Sequence, residues 1–418
     1  MDSGRCTSCS TSALRKGGTG MKVIHLISGS EGGGSRFQVL SLLEELVQNT
    51  DDDHDIELVS LMEGPLTQDA RERGLPIKVI PMKGMLDFRV ISPLIRYLAE
   101  RKPDILHTHG VRANFIGRLT YKFMLSDLKP VMFTTVHSSI YHDYTNSWKR
   151  FIYPFMEKSL RAVVHRFIAV SDGLYQELLQ DGIEEDRLAL VPNGIYTEKF
   201  SPDTNSDSDP TTLKEELGIP EEATVILTVG RLVPVKGQDY LLEAFKDLLE
   251  DLTEEEDIGT YSQEKLPYLV IVGDGPLGDS LSSKAKSLGI EEKVIFTGFR
   301  RDIPAFFQMA DIFTLPSLME GMPIILLEAM AARLPLVASR VGGVSEVVNE
   351  GETGLMVPSK DPKTLAEALK RLWQSPDLCR KLGGQAGERV ERDHHFSRVV
   401  TETLKLYQKT VNSKREPG

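Results

Sequence analysis

Glu320 and Glu328 stand eight residues apart in LPSLMEGMPIILLEAMAARLPLVAS. Glu320 precedes Gly321-Met322-Pro323, and proline suits the first position of a helix. The amides around that start, through Ile324, therefore face an open end able to hold an anion. Glu328 falls within the helix among Ile, Leu and Ala, where a carboxylate costs free energy unless it is hydrogen-bonded. Vicinal ribose hydroxyls are natural donors to it; a buried structural network is the plainer alternative. Upstream, VILTVG runs into Arg231, with Lys236-Gly237 five residues further on. Arginine as a fork donor and lysine as a point charge together suit a pyrophosphate, although two cations in a loop are often merely solvated. Gly273-Asp274-Gly275-Pro276 ends another apolar run, where parallel sheets place their ligand crevice.

The first part of the chain offers a glycine turn and three histidines. Gly29-Ser30-Glu31-Gly32-Gly33-Gly34-Ser35 follows the first apolar run, and glycines there let backbone amides approach a phosphate at a helix start. The spacing is not that of a dinucleotide fingerprint. His107, His109 and His137 end later apolar runs, so they are expected to face the crevice. An i, i+2 pair on a strand points one way and invites a metal site, but no third ligand of convincing spacing accompanies it, and none is assigned. The run Asp51-Asp52-Asp53-His54-Asp55 imitates an Asp-x-Asp metal motif; lying between a helix and a strand, it reads as an exposed loop.

The elements that must position these groups alternate. MKVIHLIS, DIELVSL, IKVIPM, DILHTHG, VMFTTVHS, RFIAVS and LALVPNG are short apolar runs separated by amphipathic stretches. Near-continuous Val/Ile/Leu runs mark strands buried on both faces of a parallel sheet. After the polar stretch SPDTNSDSDPTTLKEELGIPEE the alternation resumes with TVILTVG, YLVIVGDG, KVIFTGF, DIFTLPS, PLVASRVGG and GLMVP. The expected fold is α/β, with two doubly wound, Rossmann-like domains facing a central cleft. Residues 1–20 form a tail, 21–198 the first domain, 199–222 a linker with one short helix, and 223–395 the second domain. Residues 396–418 are a helix packing across a domain, with SKREPG fraying.

Composition narrows the function. The 418 residues carry a net charge of −12, are 40% hydrophobic and 26% charged, and include only three cysteines, Cys6, Cys9 and Cys379. The surface repels polyanions, so nucleic acid is not an expected partner. Cys6-x-x-Cys9 has the spacing of half a zinc site or a redox pair but lacks a second pair and sits in a polar tail. Sparse cysteine, no run of about 20 apolar residues and no signal-peptide stretch point to a cytoplasmic protein. Residues 148–161 mix bulky apolar and basic side chains, as helices at a membrane surface do. A helix whose apolar side packs on its own domain is the favoured reading of the same residues; peripheral contact at the inner face of a membrane is the sharper alternative.

Together the motifs resemble the large fourth family of retaining glycosyltransferases with the GT-B fold. The likeness is strongest over 223–358, in the order GRLVPVKG, VGDGP, FTGF, EG.P..LLEAMA, P.VAS..GG and E.V..G..G. It implies a nucleotide-diphosphate sugar donor, UDP-sugar before GDP-sugar, an acceptor hydroxyl on a glycan, lipid-linked sugar or small molecule, and neither metal nor prosthetic group. Arg231 and Lys236 would hold the diphosphate, Glu328 the ribose, and Glu320 the donor sugar. The amides of Gly321, Met322, Pro323 and Ile324 and of the Gly32, Gly33, Gly34 turn would border phosphates and sugar, with Gly273 nearby. His137 would approach the reacting carbon, His107 and His109 the acceptor side, and Phe299 and Arg300 the base. Met322 stands where an aromatic is common, and Tyr196 where an aspartate is. An epimerase on this fold, a phosphorylase, a nicotinamide dehydrogenase and a silent binding subunit are the rivals. The phosphorylase lacks its anchoring lysine motif, and the dehydrogenase lacks its glycines.

Overall fold

The computed structural model describes residues 20–29, 33–48, 54–84, 87–139, 149–202, 210–254 and 265–415. The Cys6–Cys9 pair, Gly32 and the Asp51–Asp53 run lie outside them. The first half comprises β1 (Lys22–Ile27), α1 (Gly33–Gln48), β2 (Asp55–Ser60), α2 (Pro65–Glu72), β3 (Ile77–Val79), α3 (Ile91–Arg101), β4 (Ile105–His109), α4 (Val111–Phe123), β5 (Val131–Val136), α5 (Lys149–Lys158), β6 (Arg166–Ala169), α6 (Asp172–Gln180) and β7 (Leu188–Leu190). The strands form one sheet in the order β3-β2-β1-β4-β5-β6-β7, every adjacent pair parallel. β4 and β5 are buried along their whole length, which is why their sequences read as unbroken runs rather than alternation.

After α7 (Pro210–Glu216), the second half repeats the scheme with β8 (Val225–Val229), α8 (Gln238–Glu254), β9 (Tyr268–Val272), α9 (Gly278–Ser287), β10 (Val294–Gly298), α10 (Ile303–Met309), β11 (Ile312–Leu315), α11 (Ile324–Ala331), β12 (Leu336–Ser339), α12 (Val344–Val347), β13 (Leu355–Val357), α13 (Pro362–Trp373) and α14 (Pro376–His394). The sheet order is β10-β9-β8-β11-β12-β13. In both sheets the order reverses beside the first strand, between β1 and β4 and between β8 and β11. Such switch points open a crevice at the strands' C-terminal ends.

The chain then returns. Between α14 and α15 (Phe396–Arg415) His395 is extended, and Ile195 and Phe396 exchange backbone bonds with this corner (Ile195 N to His394 O 2.9 Å, Phe396 N to Ile195 O 2.8 Å). α15 packs on the first sheet, not the second: Phe396, Val400, Tyr407 and Val411 share a cluster with Val23, Ile105 and Phe133. The expected fraying of SKREPG is corrected in part. The helix runs on to Arg415, held where Lys414 Nζ donates to the Lys129 carbonyl at 2.7 Å. Another apolar cluster is continuous from one half to the other through Leu174, Ile195, Met322 and Ile324.

On α5, Met156 and Glu157 are buried while Phe155 is 71% exposed. Glu157 anchors the helix to α4 through Arg118 Nη2 at 2.8 Å and Asn114 Nδ2 at 2.9 Å. Among the described residues no helix is long and apolar enough to cross a membrane.

Candidate active site between the two sheets

The loops after β8 and β11 meet at the second switch point. Lys236 Nζ lies 2.6 Å from Glu320 Oε1, and Ser317 Oγ donates to the same oxygen at 2.6 Å. The pair is largely shielded from solvent. Gly237, after the lysine, has φ +66°, and a Cβ there would stand 2.1 Å from the Pro316 carbonyl oxygen; only glycine lets the two loops approach so closely. Gly273 serves the adjacent strand end in the same way, with φ +141° and a Cβ position 1.9 Å from the Gly230 oxygen. Arg231 is exposed, and its guanidinium makes no hydrogen bond or ion pair among the described residues.

Pro323 is not the first helical residue. It caps α11 with ψ 112°, and Ile324 opens the helix. Glu328 is partly exposed and makes no side-chain bond among the described residues, and burial pushes its carboxyl up to about 7. A carboxyl left unpaired in this way can accept hydrogen bonds from a ligand's hydroxyls. Phe299 is 65% exposed. Arg300 is already engaged, by Asp302 at 2.6 Å and Glu216 at 2.8 Å, so a base beside it would meet a guanidinium held by two carboxylates.

The first half closes over this cluster. A Cβ on Gly321 would stand 2.8 Å from the His137 carbonyl oxygen, and one on Gly34 would stand 2.8 Å from Ile324 Cγ1. Asn193 Nδ2 donates to the Met322 carbonyl at 3.1 Å. Glu346 reaches across to the start of α6, accepting from the amides of Asp172 and Gly173 at 2.7 and 2.9 Å. A carboxylate at a helix N-terminus is favourably placed. Tyr196 stacks on Phe396 with centroids 4.9 Å apart and donates to Glu45 at 2.7 Å, so an aromatic pair stands where an aspartate was expected.

His107 and His109 depart from expectation. They share one strand face, as their spacing requires, but that face is covered by α15, and they are 1% and 2% exposed. Direct contact with an acceptor is therefore replaced by contact with His25. β1 lies between β2 and β4 with His25 opposite His107, and His25, His107 and His109 hold ligand atoms all within 4.8 Å of one another. The third histidine that spacing could not supply thus comes from the neighbouring strand. The ring nitrogens of these three are engaged in hydrogen bonds to protein groups: His25 Nδ1 to His109 Nε2 at 3.0 Å, His109 Nδ1 to His137 Nε2 at 3.3 Å, and His107 to Tyr407 and Thr135 at 2.5 and 2.7 Å. Burial holds all four imidazoles neutral, His25 at about 3 and His137 at about 4.

Residues 32–199 match Glycosyltransferase Family 4, and residues 209–389 match Glycosyl transferases group 1. The chain belongs to the family 4 glycosyltransferases. It is 28% identical over 346 residues to the UDP-Gal:alpha-D-GlcNAc-diphosphoundecaprenol alpha-1,3-galactosyltransferase of Escherichia coli, covering 81% of this chain and 84% of that one. It is 30% identical over 242 residues to the D-inositol 3-phosphate glycosyltransferase of Corynebacterium efficiens, 56% of this chain and 54% of that one. Anabaena Alr3699/HepE, solved with UDP and glucose, superposes with a TM-score of 0.78 at 17% identity, over 93% of this chain and all (100%) of that one. These likenesses establish the GT-B fold.

Several residues of this glycosyltransferase's cleft carried no assignment in the sequence. Ser317, Glu346 and the Gly342-Gly343 pair border the Glu320 loop, and a Cβ on Gly343 would stand 1.7 Å from the Gly321 oxygen. The glycine pair and Glu346 both stand in the motifs P.VAS..GG and E.V..G..G, but Glu346 took no role from them, because its partner amides lie 174 and 173 residues away.

Proposed function

We propose that this chain transfers a hexose or N-acetylhexosamine from a UDP-sugar to an acceptor hydroxyl, with retention of anomeric configuration and without a metal ion. The carrying observation is the 2.6 Å Lys236–Glu320 pair at the switch point, with Gly321 of the same loop set against His137 of the facing half. In this reading Arg231 and Lys236 hold the diphosphate, and Glu328 accepts the ribose hydroxyls. Glu320 and the amides of Gly321 to Ile324 hold the sugar, Gly33 and Gly34 border it from the opposite side, and His137 approaches the ring.

Breaking the bond between the anomeric carbon and phosphate develops negative charge on the departing diphosphate, which Arg231 and Lys236 stabilise more in the transition state than in the ground state. The acceptor hydroxyl attacks from the same face, its oxygen bonds to the anomeric carbon, and its proton passes to the leaving phosphate oxygen. Closure of the two halves excludes water and limits hydrolysis.

The E. coli relative's name includes UDP-Gal and a diphosphoundecaprenol-linked acceptor, which supports a UDP-sugar donor and a lipid-linked sugar acceptor here. An acceptor of that kind is met at the cytoplasmic face of a membrane, where the exposed Phe155 of α5 supplies peripheral contact. A thermal-shift series against UDP-, GDP- and ADP-sugars tests the donor, because a ligand that binds only the folded state raises its melting point. Product NMR reports the anomeric configuration. Wild-type turnover of every UDP-sugar accepted by the protein after Lys236→Ala would sink the assignment of that lysine, and no shift with any nucleotide sugar would sink the donor class.

A further inference from the structure

Six side chains form one hydrogen-bonded path, of which the chemistry above uses only His137. Thr135 Oγ1 lies 2.7 Å from His107 Nε2, His107 Nδ1 lies 2.5 Å from the Tyr407 hydroxyl, and that hydroxyl lies 3.5 Å from His25 Nε2. His25 Nδ1 then meets His109 Nε2 at 3.0 Å, and His109 Nδ1 meets His137 Nε2 at 3.3 Å. β1, β4 and β5 supply the histidines and the threonine from one sheet face, and α15 supplies the phenol. The path ends at His137 Nδ1, a buried atom with no hydrogen-bond partner among the described residues.

A neutral imidazole carries one N–H and one bare nitrogen. Burial keeps these rings uncharged and the Tyr407 phenol protonated, so the bonds must run head to tail and one choice of direction fixes every proton. The phenol makes that choice. Hydroxyl donors form the shorter bonds, so Tyr407 donates to His107 Nδ1, and His107 donates from Nε2 to Thr135. The phenol oxygen then accepts from His25 Nε2–H, His25 Nδ1 accepts from His109 Nε2–H, and His109 Nδ1 accepts from His137 Nε2–H. His137 is left with a bare Nδ1.

We propose that Tyr407 is a positioning residue for His137, acting through His25 and His109 to hold Nδ1 as the unprotonated nitrogen that accepts a hydroxyl of the bound sugar. This rests on the reading of His137 as a sugar-side residue. A metal ion is a poorer account of the same cluster, because coordination by all three histidines would break the path. Tyr407 is fully buried and lies 300 residues from His107 and 382 from His25, so the seating of the last helix is read out at the cleft.

The test is Tyr407→Phe in the full chain, which removes the hydroxyl and keeps the ring packing, beside Val411→Ala, which loosens the same helix without touching the path. Two-bond 1H–15N correlation of histidine-labelled protein, with His137 assigned by loss of its signals in His137→Gln, reports the tautomer without reference to activity. Wild type should show His137 as the Nε2–H form, and Tyr407→Phe should show a mixture. With a UDP-sugar that the wild type turns over, kcat should fall about tenfold in Tyr407→Phe, the loss of one net hydrogen bond, with donor KM within twofold and Val411→Ala near wild type. An unchanged His137 tautomer in Tyr407→Phe, an Nδ1–H form in wild type, equal kcat losses in the two variants, or stoichiometric zinc in the purified protein would each overturn the proposal. Absence of any transferase activity would overturn the reading of the enzyme and leave the tautomer measurement to decide the path.

Discussion

The two faces of the cleft are built from opposite electrostatics. The second half presents charge: Lys236, Glu320 and Arg231 on loops after β8 and β11, partly open to water. Behind the first half's face lies neutral polarity: three imidazoles buried against the Tyr407 phenol of α15, leading to His137 at the cleft, each kept uncharged by burial. Charge is useful where a leaving group becomes an anion, whereas a neutral acceptor or donor is useful beside a ring that becomes electron-poor, since a cation there would oppose the reaction. The contrast divides labour by protonation state rather than by residue type.

The largest expected effect breaks the charged side. Lys236→Ala should lower kcat by about 10²–10³, the range for removing a transition-state charge contact, and His137→Gln, which keeps a neutral hydrogen-bonding group, by only about tenfold. Steady-state kinetics with the same UDP-sugar checks both; equal losses would erase the distinction.

Acid sharpens it next. His25 and His137 fall from 6.5 to about 3 and about 4 in the fold, so their stabilisation is present above 6.5 and is lost as pH falls below it towards those values. Each contributes up to about 1.4 kcal/mol per pH unit in that window. Urea midpoints should therefore drop steeply between about pH 6 and pH 4, and His25→Asn should flatten the drop if it folds. A midpoint constant across that range would contradict a neutral cluster.

Glu328 has the opposite sign. Its folded value of about 7 exceeds the ordinary 4.5, so the fold favours the protonated acid and loses stability as pH rises from 4.5 through 7. Glu328→Gln should raise the melting temperature at pH 8 by about 2–6 °C while weakening UDP binding about tenfold, by differential scanning and titration calorimetry. A melting temperature unchanged or lowered at pH 8 would remove the burial argument.

The smallest effect concerns Tyr196. Tyr196→Phe loses its bond to Glu45 and keeps the stack on Phe396, so stability should fall by about 1 kcal/mol with kcat unchanged; a larger loss of kcat would make the hydroxyl part of closure.

The strands were legible because most are largely buried and rich in Val, Ile and Leu, and even the less buried β3, β7 and β10 keep that composition: all thirteen strand-like runs in the sequence coincide with β1 to β13. Each motif of the charged half was legible because it is local, Arg231 to Lys236 after β8 and Glu320 to Glu328 before and within α11, but the 84 residues between Lys236 and Glu320 are bridged only by the sheet order that sets β8 beside β11. The neutral half was not. His25 meets His107 only because β1 is inserted beside β4 in the sheet order, and Tyr407 reaches them from the far end of the chain. Spacing along a sequence records the neighbours of one strand and says nothing of which strand lies beside it. His107 and His109 were therefore found but given the wrong surroundings, facing an acceptor instead of a helix.

The return of α15 makes the molecule's first half the last to be finished. Phe396, Val400, Tyr407 and Val411 cover strands made hundreds of positions earlier (Tyr407 lies 382 residues from His25 and 300 from His107), so a nascent chain carries one bare sheet face until residues 396–415 leave the ribosome. Residues 21–198 expressed alone would keep that face exposed and aggregate. Joining 396–415 to them through a flexible linker would restore the missing layer and give an isolated lobe.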